Sequence, residues 1–173
     1  TGQIKKFSPG NGSNILNSAD VNFTDDDYTY QDGKLFMQDI LGVAVDKEGF
    51  IYCLDSSFGR VFLYDQNCRM LTAFGGGMGA GTQEGNFKSA SSIALKGSDV
   101  LVGDGMKNTV TVFGLTPYGK EIKELISLTL NGNYSETREE WENVLQQDRN
   151  FQPAYRGLAR AYLAEGDYQQ AMT

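Results

Sequence analysis

The chain of 173 residues is 40% hydrophobic and 12% aromatic, enough apolar material for one globular domain or two small ones. A net charge of −7, with 22 acidic residues against 15 Lys and Arg, speaks against a nucleic-acid backbone or an anionic membrane surface as partner. Histidine is absent, which removes imidazole bases, imidazole metal ligands and the common hydrolase triads.

The first ten residues, Thr1 to Gly10, contain no apolar signal core, and no window approaches the run of ~18 apolar residues that crosses a bilayer. Thr1 to Phe7 followed by Asn14-Ile15-Leu16 reads as two strands at the end of a meander. Asp25-Asp26-Asp27 lacks the spaced oxygen ligands and central glycine of a calcium loop and reads as a solvated run. Tyr28 to Phe36 alternates polar and aromatic residues, which predicts a hairpin or a first edge strand. Tyr28 and Tyr30 could stack on a sugar face there, against the plainer reading of edge-strand packing. Asn22-Phe23-Thr24 and Asn133-Tyr134-Ser135 are three-residue glycosylation patterns that arise easily by chance.

Residues 41–74 predict four short antiparallel strands. Leu41 to Val45 and Phe50 to Asp55 flank a tight turn at Lys47 to Gly49, and Val61 to Tyr64 and Met70 to Phe74 complete the meander. The unit of about 50 residues then returns. Ser92 to Leu95 repeats Gly42 to Val45, Val100 to Asp104 repeats Ile51 to Asp55, and Val110 to Phe113 repeats Val61 to Tyr64.

Asp46, Asp55 and Asp104 each close a strand, where a short carboxylate accepts turn N–H groups; that reading competes with an acidic cluster for calcium. Arg60 is expected to brace neighbouring turns or to meet a ligand. Cys53 and Cys68 read as two reduced thiols in or beside strands, with a disulfide as the alternative, and their spacing has no redox or metal motif. Gly75 to Gly81 invites a phosphate-loop reading. It lacks the Lys-Ser/Thr at a helix start that phosphate chemistry needs, so it reads as a connection between sheets that could shape a ligand rim.

The first strand unit resembles the NHL-repeat family of β-propellers, at Gly42 to Asp46, Gly49, Ile51-Tyr52, Asp55, Gly59-Arg60-Val61 and Phe74-Gly75. The second copy departs from the pattern with Ser92, Lys96 and Thr109 at its glycine, aspartate and arginine positions. The resemblance implies recognition by loops and grooves at the propeller ends. Relatives with enzymatic activity depend on histidines that this chain does not have.

From Thr116 the period changes to that of helices. Pro117 can start one, with Ile122, Leu125, Ile126 and Leu128 or Thr129 on one face and Asn131-Gly132-Asn133 ending it. A second is predicted from about Tyr134 to Gln147 with Trp141, Val144 and Leu145 on one side. A third runs from Gln152 to Ala164, and a fourth begins near Tyr168. Gly132-Asn133-Tyr134 returns as Gly166-Asp167-Tyr168 after 34 residues. On these residues, with Trp141, Tyr155, Leu158, Ala159 and Tyr162 at packing positions, the segment resembles the tetratricopeptide repeat. Gly157, Ala159 and Ala161 would let helices approach closely. Thr137 stands where that family usually has a small alanine, and Arg149 where it usually has proline.

The expected fold is therefore mixed: residues 1–115 form blade-like antiparallel meanders of an incomplete β-propeller, and residues 116–173 form tetratricopeptide-like helix hairpins. The expected function is a non-catalytic protein-binding or assembly module, in a chain that reads as a piece of a longer protein. Its partner is a protein or a second copy in a dimer, with no cofactor, no metal and no nucleic acid. The alternative is a carbohydrate or small-ligand module of a surface uptake system. Tyr28, Tyr30, Arg60, Trp141, Tyr155 and Tyr162 are the expected ligand or partner surface. The joined pattern resembles bacterial proteins that combine both repeats, which implies an extracytoplasmic place, against the cytoplasm, with membrane contact only through parts outside this chain.

Overall fold

The computed structural model describes residues 5–15, 28–31, 34–37, 39–76 and 84–172, with only the backbone described for 28–31 and 34–37. The chain divides into two compact units, Thr1–Gly114 and Leu115–Thr173.

The first unit is built from antiparallel strands. β1 (Tyr28–Gln31) pairs with β2 (Lys34–Met37) in a hairpin whose register leaves two residues for the connection. β3 (Ile40–Val45), β4 (Ile51–Asp55), β5 (Arg60–Tyr64) and β6 (Met70–Gly75) form a four-stranded sheet in chain order. β7 (Ala90–Lys96), β8 (Asp99–Asp104) and β9 (Thr109–Phe113) form a three-stranded one. The repeat extends to irregularities: the register shifts between Ile40 and Gly42 in the first sheet and between Ala90 and Ser92 in the second. The N-terminal segment contributes a single antiparallel bridge, Phe7 to Asn14, and Lys6 donates from Nζ to the Gln66 carbonyl at 2.7 Å.

Aspartates set the turns, each accepting N–H groups that the turn would otherwise leave unpaired. Asp46 accepts from the amides of Glu48 and Phe50, and Asp65 from those of Asn67 and Arg69. The two turns share a backbone: the residue three on from each aspartate is left-handed, Gly49 at φ 90° and Cys68 at φ 65°. A second pair is larger. Asp55 accepts from Ser57 and, across the sheet entry, from Asp39, while Asp104 accepts from Met106, Lys107, Ser89 and Lys88. Gly59 and Asn108 take the left-handed position in these turns. The aspartates singled out in the sequence thus act on backbone amides, and among the described residues no group of three or more His, Cys, Asp or Glu stands where it could hold a metal ion.

The two sheets pack face to face. Gly42 lies so close to Ile93 that a Cβ would meet its Cγ2 at 2.9 Å, and Phe113 packs against Phe74 (5.0 Å between centroids) and Phe87 (5.9 Å). Strand alternation puts Tyr52, Leu54, Val61 and Leu63 on this face of the first sheet. On the opposite face Ile51, Cys53, Phe62 and Tyr64 form a buried cluster with Cys68, and Ile40 packs against it.

Cys53 and Cys68 are free thiols in that cluster. Burial, and then the neighbouring Cys68, push the Cys53 thiol up to about 12; burial also raises Cys68, against a partial offset from Lys6. Both stay protonated, and the thiolate is the reactive form. At about pH 8 a disulfide reagent such as Ellman's should label neither thiol in the folded protein and both in denaturant. Fast labelling of the native chain would contradict this packing.

Candidate protein-docking surface

The second unit begins with α1 (Pro117–Leu130). Thr116 caps it, its Oγ1 accepting from the Gly119 amide at 3.0 Å, and Pro117 fills the first turn, where no N–H partner is needed. A 3₁₀ turn, Ser135–Thr137, leads into α2 (Arg138–Gln147), and α3 (Gln152–Glu165) follows. α1 and α3 end alike. Gly132 and Gly166 are left-handed, with Asn133 N–H bonded to the Leu128 carbonyl and Asp167 N–H to that of Tyr162. These are glycine-closed helix ends, and they explain why this pair recurs at the repeat period. Beyond α3 the described residues hold a 3₁₀ turn, Gln170–Met172, where a fourth helix was expected near Tyr168.

Trp141 organises the interior. It is only 1% exposed, and its Nε1 donates to Thr129 Oγ1 on α1 at 3.0 Å. Its indole lies against Gly157 of α3 so closely that any side chain there would overlap Nε1, Cε2 and Cδ1. Val144, Ala154, Ala161, Ile122, Leu125 and Ile126 fill the remaining core. Thr137 is fully buried, but its hydroxyl donates to the Tyr134 carbonyl at 3.0 Å, so the extra oxygen at this small-residue position is satisfied. α2 is tied to α3 by polar contacts. Tyr162 donates to Glu142 Oε1 at 3.2 Å, and Arg138 lies 3.6 Å from Glu142 and 3.4 Å from Glu165. Burial raises the Tyr162 hydroxyl, and its bond to Glu142 and the charge of that carboxylate raise it further.

The opposite side of α3 is open. Tyr155 and Leu163, eight residues apart and so on one helical stripe with half-buried Ala159 between them, are 51% and 52% exposed. The Tyr155 hydroxyl donates to the Arg149 carbonyl at 2.9 Å, which fixes the ring at the head of the stripe. Tyr168 and Met172 are also exposed beyond the helix end. Such a row of large apolar groups on a helix that buries its other face is suited to receive another helix or an extended peptide.

Residues 128–173 match the tetratricopeptide repeat family. The match covers the end of α1, all of α2 and α3, and both glycine-closed ends. Outside it lie the β-sheets of the first unit. No curated protein matches the chain.

The residues expected to form the surface have different surroundings, each within its own unit. Trp141 belongs to the core: a neighbouring helix with a glycine facing the indole covers it completely, which corrects its expected place on a partner surface. Tyr155 is on the open stripe, and Tyr162 is half-buried and bonded to Glu142. Arg60 lies 3.5 Å from Asp55, with its guanidinium over Phe58 (4.7 Å) and Phe62 (4.6 Å), so it braces its hairpin through a carboxylate and two rings. The side chains of Tyr28 and Tyr30, and most of the glycine stretch proposed as a ligand rim, lie outside the described residues. Leu163 was not singled out in the sequence, although its spacing from Tyr155 was a signal for it. Lys123, buried on α1 beside Ile122, was not expected there.

Proposed function

We propose that this chain is a non-catalytic protein-binding module in which the tetratricopeptide-like unit docks a partner along the Tyr155–Leu163 stripe of α3. The observation that carries the reading is a matched protein-interaction repeat whose core is closed around Trp141 while one helical face keeps its large apolar side chains in solvent. The strand unit serves as scaffold. We read its two sheets as neighbouring blades of the NHL kind, supported by the repeated register shift, the paired aspartate turns and the face-to-face packing. An extracytoplasmic bacterial setting is proposed on the resemblance alone.

The test is affinity capture with the full chain, comparing it with a Tyr155→Glu, Leu163→Glu variant, both positions being exposed and tolerant of charge. Partners retained by the parent and lost by the variant, with unchanged Trp141 fluorescence, are the expected result. Equal retention by both would remove the stripe as the docking face. Turnover of a small substrate that disappears on mutation of one acidic residue would overturn the non-catalytic reading.

A further inference from the structure

We infer that Asn131, at the glycine-closed end of α1, is a site of spontaneous covalent modification, where attack by the Gly132 nitrogen converts the carboxamide into aspartate and isoaspartate and loosens the end of the helix.

The position supplies what this reaction needs. Asn131 is exposed and is followed by a glycine, whose nitrogen no side chain of its own shields. Gly132 is left-handed at φ 90°, and nothing lies within 4 Å of where its Cβ would stand, so the reacting groups have room. Its N–H donates to the Thr129 carbonyl at 3.3 Å, a long and weak bond beside the 3.0 Å of those from Asn131 to Ser127 and from Asn133 to Leu128. Among the described residues no hydrogen bond restrains the Asn131 carboxamide.

The step balances with water alone. A base removes the Gly132 N–H proton, the nitrogen attacks Cγ of Asn131, and the carboxamide nitrogen takes up a proton and leaves as ammonia. One C–N bond forms and one breaks, giving a five-membered cyclic imide. Water then adds to either carbonyl of the imide and reopens it. One opening leaves aspartate in the ordinary chain; the other routes the chain through the former side chain as isoaspartate, with one more backbone atom.

The repeat shows why the product matters at this place. After 34 residues the matching end of α3 has Glu165 before Gly166, and that carboxylate lies 3.4 Å from Arg138. α1 has no basic residue in its last turn, so a carboxylate formed at 131 stands unmatched beside the last carbonyls, at the negative end of the helix dipole. The extra backbone atom of isoaspartate also lengthens the loop that the Asn133 N–H closes onto Leu128. Thr129, two residues back, is the partner of Trp141, so the disturbance reaches the core of the unit. The inference stands whether or not the α3 stripe binds a partner.

The experiment ages the full chain in mildly alkaline buffer and follows Asn131 by peptide mapping, with mass spectrometry for the change from amide to acid and enzymatic methylation for isoaspartate. Asn131 should convert progressively, with isoaspartate as the larger product. The chain has a single tryptophan, Trp141, so thermal melting followed by its fluorescence reports on the helical unit. The midpoint should fall by at least about 3 °C as conversion completes. Asn131→Gln, which would have to close a six-membered ring, should hold its midpoint over the same period. Asn131→Ser has no carboxamide and should do the same, even if glutamine disturbs the helix end. The other Asn-Gly pair, Asn11-Gly12, lies in the strand unit, and its conversion in these variants should leave the Trp141 transition where it was. An Asn131 amide that stays intact in the folded chain, a midpoint unmoved by its conversion, or an equal fall in the two variants would each overturn the inference.

Discussion

Replacing Trp141 by alanine is expected to unfold the helical unit or to lower its melting temperature by at least about 15 °C. Trp141 is the largest fully buried side chain, and truncating such a residue costs about 3–5 kcal/mol through lost burial and the cavity left behind. In a unit of this size each kcal/mol moves the midpoint by roughly 4–8 °C. The cavity cannot be filled cheaply, because the facing residue on α3 is Gly157, with no side chain to lean in. Thr129 Oγ1 would also lose the donor that Nε1 supplies from across the helix pair. Trp141→Phe separates the contributions: it keeps most of the ring volume and loses the hydrogen bond, for an expected cost of about 1–2 kcal/mol. Thermal melting followed by far-UV circular dichroism reads both. An alanine variant melting within about 3 °C of the parent would show that the helices do not depend on this packing.

The same residue marks where sequence reasoning stops. The 34-residue period placed Trp141 on the apolar side of its helix, and it placed Gly132 and Gly166 at helix ends, because periodicity and left-handed glycines are local properties. Whether an apolar face is covered is not local. It depends on the neighbouring helix, and the clue was the glycine at 157, already legible as a position of close approach but not assigned to the indole. The strand unit shows the same division. Its hairpins, its repeat and its aspartate turns follow from alternation and turn chemistry. Yet Asp104 gathers amides from Lys88 and Ser89 as well as from its own turn, a link set by sheet registry. Arg60 was read as bonding to turns, whereas it sits across its hairpin from Asp55 with its guanidinium over two rings, a packing that depends on how Phe58 and Phe62 are presented. Val110 and Val112 were legible only as strand residues that repeat Val61 and Leu63, and the structure alone shows their face to be open.

Asp104→Ala is expected to cost about 3 kcal/mol near neutral pH, since an orphaned buried donor costs about 1–3 kcal/mol and several are released at once. Oδ2 accepts from Lys88 at 2.6 Å, and Oδ1 from Ser89, Met106 and Lys107 at 3.2, 3.0 and 3.0 Å. Burial alone would raise this carboxyl; the amides of Lys107, Lys88, Met106 and Ser89 together outweigh it and hold the group below the ordinary carboxylate range. A folded-state value below the unfolded one of about 3.9 gives a definite sign. The contribution is full above the unfolded value and is lost as pH falls through the folded one, so the gap between parent and variant should shrink on acidification. Asp55, the counterpart in the first sheet, should behave in the opposite sense. Burial raises its carboxyl, against the amides of Asp39, Phe58 and Ser57 and the charge of Arg60, so any stability tied to its protonation is present at low pH and lost as pH rises through the folded value. Urea unfolding of the parent, Asp104→Ala and Asp55→Asn across the acid range measures both slopes. A gap for Asp104→Ala below about 1 kcal/mol, or one that does not change with pH, would mean that the four amides find water as readily as they find the carboxylate.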